Sequence, residues 1–166
     1  MIRRAIPPIA IALTLLGLAA AAYGLPPFTT AAKKSPSSGS QAQLNAATAG
    51  CHSTYDRFVL RIASGGTPGY DVRYVSRIVG DGSGDPIPIQ GSKFISVSIR
   101  NARGHTNGGT NLLPSTITPG CSNFRQAKKA GDFEGVVTYG LGLRRKTGFR
   151  VFRLTGPARI VVDVLH

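Results

Sequence analysis

From residue 57 onward the chain is organised by alternation of apolar and polar positions, and no helical period fits it. Residues 57–63 read RFVLRIA, with Phe58, Leu60 and Ile62 on one face and Arg57, Val59 and Arg61 on the other. Residues 70–75 set Tyr70, Val72 and Tyr74 against Asp71, Arg73 and Val75. Residues 93–100 set Ile95, Val97 and Ile99 against Phe94, Ser96, Ser98 and Arg100. Side chains of an extended chain point alternately to opposite faces, so these patterns predict strands with one buried and one wetted face.

Three more apolar runs follow near the C-terminus: Val136, Val137, Tyr139 and Leu141; then Phe149, Val151, Phe152 and Leu154; then residues 160–164. β-Branched and aromatic residues dominate them, and the breaks at 144–148 and 155–158 carry Gly or Pro, which predicts an antiparallel meander. Ile87-Pro88-Ile89, broken by its proline, fits an edge strand, and residues 77–79 extend the strand before it. Residues 124–130 (FRQAKKA) predict a helical turn or two, and 101–123, rich in Gly, Asn and Thr, a long loop. About six to seven one-sided strands are most simply buried in two packed sheets, so the expected fold is all-β, a single antiparallel β-sandwich.

Upstream the pattern changes. Residues 33–50 are Ser-, Gly-, Gln- and Ala-rich with almost no bulky apolar side chain, which predicts a flexible, disordered linker before a domain at 51–166. Residues 1–32 begin with Arg3 and Arg4 and continue charge-free, with an apolar centre at 9–23 and small residues from Ala19 to Ala22. That is the layout of a secretory signal peptide. Its apolar length falls short of the roughly 20 residues a membrane span needs, yet the uncharged stretch permits a retained N-terminal anchor. Either way Cys51 onward is exported, to the cell wall or medium or to the outer face of the plasma membrane. Ala49-Gly50-Cys51 imitates a lipoprotein box, but it does not directly follow the apolar segment.

Composition adds charge. The chain carries a net +13, with Gly 21 and Pro 11, and from Cys51 onward twelve Arg and four Lys face seven acids, a net +9. Such an excess favours an anionic surface. Export removes nucleic acid as the partner, and no nucleic-acid-reading module is recognisable.

The run Arg159-Ile160-Val161-Val162-Asp163-Val164 resembles the last strand of the AMIN family, modules attached to bacterial cell-wall amidases and secretion proteins. With Gly135, Gly140, Gly142 and Thr147-Gly148-Phe149, the C-terminal stretch is more similar still to the AMIN-like domain of exported actinobacterial proteins and lipoproteins. The resemblance covers residues 55–164. It implies a compact β-sandwich outside the membrane, a role in binding peptidoglycan or targeting partner proteins, and a structural role for Arg159 and Asp163. A buried Asp163 needs a partner, for which Arg57, Arg61 and Arg153 are available.

Candidate chemistry is sparse. Cys51 and Cys121, the two cysteines of the chain, predict one disulfide in an oxidising compartment. A nucleophilic Cys51 beside His52 is disfavoured, because neighbouring side chains of an extended segment diverge. His52, His105 and His166 share no metal-ligand spacing, and His166 reads as a solvated end. Residues 81–85 (DGSGD) begin like a calcium loop, but Pro86 stands in place of the glycine and Ser92 in place of the bidentate Glu, so they read as a turn. Asp132 and Glu134 read as partners of Lys128, Lys129, Arg144 and Arg145. No catalytic residue, metal site or cofactor is expected. Arg144, Arg145 and Lys146 form the densest basic cluster, read at a hairpin tip, with Arg150 and Arg153 extending it. The expected function is a non-catalytic, exported envelope module contacting peptidoglycan or an anionic wall polymer. The alternative is a secreted interaction domain recognising an envelope protein through the 101–123 loop and the basic tip.

Overall fold

A computed structural model describes residues 24–166; most of the apolar N-terminal segment lies outside the described residues. Eleven strands follow: β1 (Lys33–Ser35), β2 (Ala42–Cys51), β3 (Tyr55–Ser64), β4 (Gly69–Val75), β5 (Lys93–Arg100), β6 (Ala102–Arg103), β7 (Thr116–Ile117), β8 (Phe124–Phe133), β9 (Val136–Leu143), β10 (Phe149–Leu154) and β11 (Arg159–Leu165). They form a six-stranded sheet in the order β1-β4-β5-β9-β8-β7 and a five-stranded sheet in the order β10-β11-β3-β2-β6. Every pairing is antiparallel except that of β2 with β6. The fold is the all-β sandwich expected, with eight long strands and three short ones.

The core lies between the sheets and is built from the predicted faces. Phe58 and Leu60 of β3, Val72 of β4, and Ile95, Val97 and Ile99 of β5 are buried with Tyr139 and Leu141 of β9 and Phe149 of β10. Phe58 meets Phe124 edge-on at 6.2 Å and Tyr139 at 5.2 Å between ring centroids, linking the sheets. The Tyr139 hydroxyl donates to the Pro114 carbonyl at 2.5 Å, and burial raises its pKa well above the ordinary tyrosine value.

Several expectations are corrected. Residues 33–50 are not a linker: Lys33–Ser35 pairs with β4, and Ala42–Cys51 is a ten-residue strand between β3 and β6. Residues 124–130 belong to strand β8, whose alternation is broken by register shifts between Phe124 and Gln126 and between Lys129 and Gly131. The C-terminal meander is not one. β10 and β11 pair, but β9 lies in the other sheet, so residues 144–148 cross between sheets and are not a hairpin tip. Residues 77–79 and 87–89 add no strand; joined by Ile87 N–H donating to the Ile78 carbonyl, they form a strap over the outer face of β8 and β9. That strap explains the glycines of β9. A Cβ on Gly142 would lie 2.0 Å from the Gln90 carbonyl oxygen, and one on Gly140 would lie 2.5 Å from Ile78. The long loop at 101–123 contains β6 and β7, and a bridge joins His105 to Asn111.

Candidate functional site

Strand directions divide the sandwich into two ends. β2, β9 and β11 finish, and β3, β5, β8 and β10 begin, at one of them. This end is knitted by buried polar groups. Asp56, fully buried at the start of β3, accepts from the backbone N–H groups of Asn123 and Phe124 at 2.9 and 2.8 Å and lies 2.9 Å from His166 Nε2. His166 is therefore bonded, not solvated. The Asn123 side chain donates to Thr147 Oγ1 and to the Leu165 carbonyl and accepts from Arg145 N–H at 3.0 Å. Tyr74 donates its hydroxyl to the Thr147 carbonyl at 2.7 Å and accepts from Thr147 N–H. The disulfide joins Cys51 to Cys121, as expected, across 70 residues of chain at the same end. Asp56 lies close to both sulfurs, but these are bonded to each other and offer no thiolate to a metal.

On this frame stands the crossover. Arg144 N–H donates to the Asn123 carbonyl at 2.8 Å, and Ser92 Oγ donates to the Arg144 carbonyl at 2.6 Å. The backbone from Arg144 to Thr147 is thus fixed, while the side chains of Arg144, Arg145 and Lys146 are exposed. Two residues remote in sequence join them, Arg125 from β8 and Lys93 from β5. Gly91, Ser92, Arg125 and Arg144 line a cleft of about 480 Å³. Across Ser92 a second cleft of about 470 Å³ is bounded by Lys93, Phe94, Tyr74 and Lys146. Among the described residues none of Lys93, Arg125, Arg144, Arg145 or Lys146 makes a salt bridge. No carboxylate lines either cleft.

The other expected members of the cluster are elsewhere. Arg150 points from the outer face of β10, where its guanidinium lies 2.8 Å from Asp163 of β11. Arg57 of β3 approaches the same carboxylate from the opposite side at 2.6 Å, so Asp163, fully buried, sits between two arginines in register across three strands. Its partners are Arg57 and Arg150, and Arg61 and Arg153 are not among them. The hydrogen bond to Asp163 raises the pKa of Arg57 further. Phe28 covers this ladder, 4.3 Å from the Arg150 guanidinium. Arg153 is likewise spent: it donates to Ser35 Oγ and the Pro68 carbonyl, each at 2.8 Å, tying β10 to the N-terminal segment. Arg159 donates to the Pro157 carbonyl in the β10–β11 turn.

Asp132 and Glu134 do not pair with the lysines and arginines named above. Asp132 accepts from Gly104 N–H and lies 3.0 Å from His105 Nδ1, a carboxylate–histidine pair that spacing along the chain did not reveal. It holds the 101–123 loop. The hollow beside it, about 340 Å³, is lined by Gly109, Asn111 and Lys129, with no Ser, Thr or Cys hydroxyl or thiol for such a pair to activate. In the 81–85 turn the Asp81 side chain lies against Gly131 and the Ser83 hydroxyl accepts from Asp85 N–H.

The fold is thus a two-sheet sandwich with a structural Arg–Asp–Arg ladder on one face and, at one end, a group of cations that make no salt bridge among the described residues. The AMIN-like domain profile matches residues 42–166, three-quarters of the chain, and the protein belongs to that family. Membership is consistent with a cell-wall-associated binding module. No curated protein and no solved structure gives a significant match.

Proposed function

We propose that this protein is a non-catalytic, exported module of the cell envelope that holds peptidoglycan or an anionic wall polymer with its basic end. The observation that carries the reading is the set of cations around Ser92 (Lys93, Arg125, Arg144, Arg145 and Lys146), presented on a backbone fixed by buried hydrogen bonds and faced by no acid. Two buried acids hold cations of their own: Asp71 meets Lys34, Arg73 and Arg100, and Asp163 meets Arg57 and Arg150. A backbone that is already fixed loses little freedom when a polyanion binds, and the attraction of the cations it carries is screened by salt. Membership in the AMIN-like family supports an envelope location, and the apolar N-terminal sequence agrees with export.

The test is sedimentation with purified, protein-free wall. The protein is expected to be retained at low salt and released at high salt, and the triple substitution R144Q/R145Q/K146Q is expected to abolish retention. Retention by the triple variant equal to that of the parent overturns the reading.

A further inference from the structure

The N-terminal segment meets the domain at its basic end. Thr29 exchanges two backbone hydrogen bonds with Phe149, at 3.1 and 2.9 Å, and Phe28 packs so closely on Gly148 that a Cβ there would lie 3.1 Å from the Phe28 Cβ. Phe149 follows the crossover directly, so the N-terminal segment meets the domain where residues 144–148 end. It then runs through β1 along the edge of β4 toward the opposite end. What precedes Phe28 is charge-free back to Ala5 and apolar from Ile9 to Tyr23. The five residues from Tyr23 to Phe28 span at most about 17 Å when fully extended. Were residues 9–23 held in a membrane, the basic end would lie within about that distance of it.

We infer that residues 9–23 are retained as a membrane anchor and that the basic end faces that membrane, seated on the phosphates of acidic phospholipid headgroups, with Lys93, Arg144, Arg145 and Lys146 as the contacts. The inference rests on the reading of this end as the anion-binding one and names which anion it meets. Cations within a Debye length of an acidic bilayer, about 8 Å at physiological salt, are attracted to it, roughly fivefold in affinity for each. Asp56, the acid beside this end, is buried and bonded.

The full chain, reconstituted in vesicles of neutral lipid or of neutral lipid with one-third acidic phospholipid, tests this. A water-soluble amine reagent read by mass spectrometry reports each lysine. In acidic vesicles at low salt, Lys93 and Lys146 are expected to label at least fivefold more slowly than in neutral vesicles, with Lys128 and Lys129 of mid-strand β8 unchanged, and high salt is expected to restore labelling. Equal labelling of Lys93 and Lys146 in both vesicles overturns the inference. If that happens while R144Q/R145Q/K146Q still loses wall retention, the end holds a wall polymer and faces away from the membrane. Protection in acidic vesicles without any wall retention leaves the lipid contact standing and removes the wall polymer.

Discussion

Arg57 and Arg150 on the outer face of the five-stranded sheet, and Arg144 and Arg145 just past β9 of the six-stranded sheet, are the same side chain in two electrostatic settings. The first pair brackets one buried carboxylate, Asp163, under a cover of Phe28. The second pair has no acid to meet, and its backbone is fixed by Asn123 and Ser92. What separates them is strand register. Arg150, Asp163 and Arg57 lie opposite one another on β10, β11 and β3, so the carboxylate falls between the guanidiniums. Residues 144–148 cross from one sheet to the other and have no cross-strand neighbour of that kind. Arginine count alone therefore does not describe the electrostatics of a surface; strand register decides which guanidiniums an acid neutralises.

The largest effect expected from breaking the comparison comes at the frame under the free arginines. Replacing Cys51 and Cys121 together by Ser is expected to cost about 4 kcal/mol, the loop-closure term for the 70 residues between them. Urea denaturation measures it, and wall retention of the still-folded fraction reports whether the basic end keeps its form. Next is Asp163→Asn, which leaves Arg57 and Arg150 facing each other without compensation and is expected to destabilise by about 3 kcal/mol. Replacing all three residues by apolar ones of similar size is expected to recover most of that loss, since desolvation of the ions is then removed with their attraction. A third, smaller effect sharpens the site. Gly142→Ala pushes the Gln90 carbonyl, which Gly142 now meets without a side chain, and overpacking of this kind costs about 2 kcal/mol. Because Gln90 leads into Ser92, wall retention should fall with it. The smallest effect on stability is that of R144Q/R145Q/K146Q, within about 0.5 kcal/mol by thermal melting, although retention is lost. A large loss of stability in this variant would mean that these arginines, too, are structural.

The strands with bulky inward residues were legible because Phe, Leu, Ile and Val alternate visibly in β3, β4 and β5. β2 was not. Its inward positions are Ala42, Leu44 and Ala47, and alanine carries too little apolar surface to stand out against Gln, Asn and Thr. That strand is made by its neighbours β3 and β6 more than by its own residues. β8 was hidden for another reason, since two bulges interrupt its period and leave a spacing that imitates a helical turn. Of the candidate site, the run Arg144-Arg145-Lys146 was visible as a run. Lys93 and Arg125 were not, because only the sheet order brings the starts of β5 and β8 to the end of β9. The assignment of Arg150 and Arg153 to the same cluster followed sequence proximity, which register overrode.

The docking of the N-terminal segment also sets how the protein responds to mechanical load. A pull on the chain ahead of Phe28 acts first on the Thr29–Phe149 pairing and the three pairs of β1, which open one after another from the end. Peeling can proceed into β2 but not past Cys51, where the covalent link to Cys121 transfers tension to β8 and the opposite sheet. Such a load would thus lengthen the chain ahead of Cys51 by a fixed amount before the disulfide took it up.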